Sequence, residues 1–160
     1  MGEIIAADTA WIMVCTAMVM LMTSGLALFY GGMVRRKNII SMLSLCFVTM
    51  AIISVQWVFF GYSMAFGSDI GGFVGNMDYL LLNGVGQEAS ELASNLPHMV
   101  FSAFQMMFAI ITTAIIASAF AERVKFISWI LFIVLWSTIV YAPIAHWVWG
   151  GRIYWEPGST

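Results

Sequence analysis

Charge is scarce in this sequence. Only 9% of its 160 residues are Asp, Glu, Lys or Arg, against 62% that are hydrophobic, and mean hydropathy is +0.94. Soluble domains carry about a quarter charged residues, so a soluble fold is excluded and a soluble enzyme is not expected. Six Lys and Arg against eight Asp and Glu give a net charge of −2, which leaves no basic patch for nucleic acid. No basic stretch precedes the first apolar run, so no cleaved signal peptide is expected. Ala6 spoils the myristoylation pattern that Gly2 would open, and no Asn-x-Ser/Thr sequon occurs. The cysteines, Cys15 and Cys46, both fall in apolar stretches, where small buried thiols are expected rather than a disulfide or a metal pair. No metal or other cofactor is expected.

What remains is organised in long charge-free windows. Positions 9–34, 38–68, 92–121 and 126–151 contain no Asp, Glu, Lys or Arg. A hydrocarbon core about 30 Å thick needs roughly 20 apolar helical residues, so these windows predict an all-α integral membrane protein with four spans, near 10–30, 39–62, 98–120 and 127–147. Asp8-Thr9 read as capping residues of the first span, and Gly31-Gly32 as its stop. Residues 67–96 carry six Gly, three Asn and the acids Asp69, Asp78, Glu88 and Glu91; they read as a polar loop, with room for one short helix.

Basic residues orient such a chain, because they favour the cytoplasmic side. Arg35, Arg36 and Lys37 follow the first span, and Arg123 and Lys125 separate the third from the fourth. An even number of spans lies between those loops, so both share one face, and Arg152 alone falls opposite. That face is expected in the cytoplasm. The N-terminus, the loop 67–96 and seven acids, Glu156 among them, are then external.

Helix faces suggest what the spans do. Ala109, Thr113, Ala117 and Ala121 form a four-residue ridge of small side chains, a close-packing face, and Ala27 and Gly31 offer a shorter one. Phe104 and Phe108 project from one face of the third span, either as an aromatic stripe in the core or interface or as a stacked pair at the mouth of a pore. Gln56 and Gln105 are amides in the outer half of the membrane, either interhelical glue or the lining of a polar path. His98, beside Pro97, reads as a solvated helix-start residue, and His146 as bonded within its own segment. Both lie at the external ends of spans, far from a midplane relay.

Several strings exceed what helix physics requires. They are Asp8-Thr9-Ala10-Trp11; Leu28-Phe29-Tyr30-Gly31-Gly32-Met33-Val34-Arg35-Arg36-Lys37-Asn38; Gln56-Trp57 leading to Gly61-Tyr62-Ser63-Met64-Ala65-Phe66-Gly67; Phe104-Gln105 with Phe108; Ala121-Glu122-Arg123; and Pro143-Ile144-Ala145-His146-Trp147-Val148-Trp149-Gly150-Gly151. In this order they resemble the N-terminal part of the ammonium transporter family, its Amt and MEP branch, over roughly residues 8–151. The resemblance implies a homotrimeric, eleven-span, multi-pass protein of the cell membrane that conducts ammonium or ammonia, with an external N-terminus. It also implies that Phe108 and Trp149 wall an outer ammonium-recruitment site, with Phe104 as floor or neighbour and Gln105 as supporting polar lining. Without it, Trp149 reads as an interfacial anchor. Ring faces suit such a site, since cation–π attraction contributes about 0.5 to 2 kcal/mol, and Trp149 and Phe108 are expected at one depth.

The family's later pore histidines, second gate phenylalanine and vestibule serine have no counterpart here. Transporters of this kind are built from two inverted repeats with the path between them, and this chain resembles four-fifths of one. The expectation for residues 1–160 is therefore a partial ammonium-transporter domain that supplies part of the vestibule. The alternative is a truncated, non-transporting membrane subunit or an ammonium-sensing interaction protein.

Overall fold

The computed structural model describes residues 3–90 and 92–150. Glu91, Gly151, Arg152 and Glu156, used in the readings above, lie outside the described residues. Four helices, Ala6–Met33, Arg36–Phe66, His98–Phe120 and Phe126–Trp149, are each long and apolar enough to cross a membrane. The shortest has 23 residues, which at about 1.5 Å of rise each covers about 35 Å, more than a hydrocarbon core needs.

The first span departs from expectation at both ends. It starts at Ala6 behind Ile5, with no side-chain cap. The Thr9 hydroxyl donates to the Ile5 carbonyl at 3.0 Å, and the Asp8 carboxylate accepts from Asn95 Nδ2 at 2.6 Å. Asp8 and Thr9 thus sit inside the first turn, where Asp8 ties the helix start to the loop before the third span. Gly31-Gly32 do not stop the helix, which continues to Met33 and ends at the extended Val34. A helical glycine costs only about 1 kcal/mol relative to Ala, and Gly31 is buried, with Ile39 and Leu43 closing over it.

Small residues set the packing of the first three spans. The first span buries only Thr23, Ala27 and Gly31, spaced four residues apart, and it packs against the second and third spans. On the third span Ala109, Thr113 and Ala117 are buried and Ala121 is partly covered, as the ridge predicts. The hydroxyls of Thr23, Thr49 and Thr113 donate to the carbonyl four residues earlier, so these buried polar groups are satisfied within their own helices. Cys46 is buried and Cys15 partly so, both as free thiols.

The second and fourth spans each contain a π-turn, Trp57–Gly61 and Ser137–Tyr141. The second span therefore runs past Tyr62 to Phe66 and stops at Gly67. A Cβ on Gly67 would lie 2.3 Å from the Asn76 carbonyl oxygen and 2.5 Å from that of Ser63, so only glycine fits there. Beyond it, the loop forms two short antiparallel ladders, Asp69–Ile70 with Val74–Gly75 and Ala89–Ser90 with Ala93–Pro97, and one 3₁₀ turn at Leu80–Leu82. The short helix that the loop had room for is the 3₁₀ turn, to which the two ladders are added, and Gly71 and Gly72 at positive φ make the reversal of the first ladder.

At the opposite end, Glu122 Oε1 accepts from the Arg35 backbone N–H and from Asn38 Nδ2, both at 2.9 Å. Its other oxygen is 3.7 Å from Arg35 Nε. The two basic loops therefore lie at the same end of the bundle, as the parity of the spans requires.

Candidate functional site

The end of the bundle that carries the hairpin loop is built from aromatic rings and two histidines. His98, the first residue of the third span, is buried rather than solvated. Its Nε2 lies 2.5 Å from the Tyr62 hydroxyl, and its ring meets Tyr62 and Tyr79 edge-on. The rings of Tyr62 and Tyr79 cover it where a helix start would otherwise meet water. His146 is also buried and looks outside its own segment: Nδ1 lies 3.0 Å from the Ala65 carbonyl oxygen and Nε2 lies 3.2 Å from Asp69 Oδ1. A carbonyl only accepts, so Nδ1 donates. His146 thereby pins the end of the fourth span to the end of the second.

Beneath the histidines, Trp57 joins three spans. Its ring centroid is 5.8 Å from Tyr62, 6.2 Å from Phe66 and 6.4 Å from Tyr141, while Nε1 donates to the Ser102 carbonyl at 3.2 Å. Sequence reasoning quoted Trp57 and Tyr62 within a motif but gave neither a place in the site. Their helical phase depends on the π-turn, which the pattern of apolar residues does not reveal.

Phe104 and Phe108 form an edge-to-face pair with centroids 5.0 Å apart, and both are half-buried. Such pairing fixes ring planes as well as burying area. Trp149 is 49% exposed and, among the described residues, makes no ring contact with either phenylalanine. It stands one turn beyond His146, whereas Phe104 and Phe108 lie about 9 and 15 Å inward of His98 at ordinary helical rise.

The two amides also differ. Gln56 is buried and bonded across to the fourth span: Nε2 donates to Thr138 Oγ1 at 2.6 Å and to the Val134 carbonyl at 3.2 Å, and Oε1 accepts from Ser137 Oγ at 2.8 Å. It is interhelical glue. Gln105, half-buried, has no such bond among the described residues. A cavity of about 690 Å³ opens beside Tyr79, Glu88 and His98; Phe104, Phe108 and Trp149 do not line it. Among the described residues no three His, Cys, Asp or Glu side chains gather as a metal site.

This arrangement of spans is found in known proteins. The chain matches the Ammonium Transporter Family over residues 10–156. It is 49% identical over 146 residues to an ammonium transporter of Bacillus subtilis, covering 90% of this chain and 35% of that protein. It is 49% identical over 144 residues to the ammonium transporter Amt1 of Archaeoglobus fulgidus, covering 90% of this chain and 34% of that protein. The crystal structure of Candida albicans Mep2 superposes with a TM-score of 0.84 at 32% identity, covering 93% of this chain and 32% of that one. The chain thus spans about a third of the length of the curated relatives it matches. A multi-pass membrane chain with these motifs, this fold and these relatives belongs to the ammonium transporter family.

Proposed function

We propose that this chain takes part in moving ammonium or ammonia across the cell membrane and forms part of the external mouth that recruits the ion. In this reading the N-terminus and the hairpin loop face outward, the basic loops face the cytoplasm, and the working protein is a homotrimer in the lipid bilayer. Recruitment and passage need no bond-making chemistry from these residues, so the chain is no enzyme.

The observation that carries the reading is the edge-to-face Phe104–Phe108 pair on the third span, with the half-exposed Trp149 at the end of the fourth. A cation stripped of part of its hydration is attracted to ring faces by about 0.5 to 2 kcal/mol. In this reading Trp149 and the phenylalanines offer that attraction. Gln105 supplies a polar group beside them.

Uptake of labelled methylammonium by vesicles carrying the protein tests this. Trp149→Leu and Phe108→Ala should each raise KM by about two- to thirtyfold, the range that loss of a cation–π contact covers. Unchanged KM in both variants would remove them from recruitment. For orientation, a cysteine placed at Glu3 should react with an impermeant maleimide added to intact cells.

A further inference from the structure

We propose that Gln56 is a positioning residue for the mouth: its amide holds the π-turn of the fourth span and so sets the direction in which Trp149 faces. The inference rests on the recruitment reading of Trp149 and adds to it the group that aims the ring.

Gln56 is the last α-helical residue before the π-turn Trp57–Gly61 of the second span. All its bonds go to residues at the start of the π-turn Ser137–Tyr141 of the fourth span or just before it. Nε2 donates to Thr138 Oγ1 and the Val134 carbonyl, and Oε1 accepts from Ser137 Oγ. In both turns the backbone closes over five residues, with the Tyr62 N–H on the Trp57 carbonyl and the Ala142 N–H on the Ser137 carbonyl. One amide therefore fastens two irregular turns at the same level.

A π-turn inserts one residue into the helical count, and one residue turns an α-helix by about 100°. Everything after Tyr141, including His146 and Trp149, is rotated by that amount relative to a straight helix. Such turns are rare, since they disturb the backbone ladder, and in a bilayer no water relieves the disturbance. The gap bordered by Gln56, Trp57, Ser137 and Tyr141 is only about 10 Å³, at the lower limit for a single water. Solvent thus cannot replace three bonds of the amide. Without Gln56, the Thr138 hydroxyl keeps the Val134 carbonyl, to which it donates at 2.7 Å, and the Ser137 hydroxyl, whose one proton goes to Gln56 Oε1, has the same carbonyl within reach at 3.2 Å. Their needs are met in a plain α-helix as well, so it is the amide that selects the π-turn.

The test is a double-mutant cycle on methylammonium uptake by the protein as the cell makes it. Gln56→Leu should raise KM about two- to thirtyfold, as loss of a cation–π contact does, with the maximal rate per inserted molecule little changed. In the Trp149→Leu background it should raise KM no further, because residues acting through one another are not additive. Thr138→Val, nearly isosteric, should give part of the effect, and Thr138→Ser none. The fluorine resonance of 5-fluorotryptophan at position 149, assigned with Trp149→Phe, should move in Gln56→Leu and Thr138→Val. An unmoved resonance in both variants, or an equal rise of KM in both backgrounds, overturns the proposal. If Trp149→Leu leaves KM unchanged while the resonance still moves, the positioning stands and the recruitment reading fails.

Discussion

The two ends of the bundle are held by different physics. At the hairpin end, His98 and His146 are buried and bonded to a tyrosine hydroxyl, a carbonyl and a carboxylate, with the rings of Tyr62 and Tyr79 against His98. At the basic end one exposed carboxylate, Glu122, links the two loops through Arg35 and Asn38, and the Arg35 side chain is 75% exposed. A hydrogen bond out of water is costly to break because the abandoned group stays unsatisfied. An exposed ion pair contributes little, since water replaces either partner. The hairpin end is therefore firmly held and the basic end lightly fastened.

Substitutions can break this contrast. Gly67→Ala should have the largest effect, on the order of 3 kcal/mol at the upper part of the overpacking range, because its Cβ would meet the backbone oxygens of Asn76 and Ser63. Thermal unfolding in detergent measures it, and an unshifted midpoint would mean the mouth is not tightly packed. His146→Ala should follow, at about 1 kcal/mol or somewhat more for lost buried hydrogen bonds, since the Ala65 carbonyl and the Asp69 carboxylate both lose their bond to the ring while Asp69 keeps the Gly72 N–H. If it proved no more damaging than a change at Glu122, the two ends would not differ as argued.

Glu122→Gln should have the smallest effect, and it carries a pH signature. The Asn38 amide first, then the Arg35 backbone N–H, with lesser help from the Arg35 and Lys37 charges, hold the Glu122 carboxyl below its usual range. A depressed folded value stabilises at every pH above the ordinary glutamate value, about 4.3, and that contribution is lost as pH falls through the lower folded value. The melting difference between the parent and Glu122→Gln should thus close on acidification below about pH 4. A difference that persists there would point to lost shape complementarity and not to the charge.

Much of the fold was legible because a bilayer imposes simple arithmetic. Charge-free windows of sufficient length became spans, and the parity of the basic loops placed Arg35 and Glu122 at one end. The Ala109–Thr113–Ala117 ridge was legible too, since four-residue spacing is a local property of a helix. The histidines were misread for the opposite reason: the partners of His98 and His146 come from residues some 36 and 77 to 81 positions away. Gly31-Gly32 misled because a helical glycine costs only about 1 kcal/mol, which the packing of Ile39 and Leu43 over Gly31 offsets while Gly32 lies open.

By itself, then, the sequence determined that this protein crosses a membrane four times, which loops share a side, and, through ordered motifs, which family it resembles. Scarcity of charge decides the first two, because the energy of burying a charge in hydrocarbon exceeds any local preference. Only the tertiary structure decided which rings of different spans meet, that Trp149 makes no ring contact with Phe104 or Phe108, and that Gln56 reaches Ser137 and Thr138. The π-turns are the physical reason: each adds one residue to the helical count and changes the face of everything beyond it, and they close through contacts between spans that no local pattern contains.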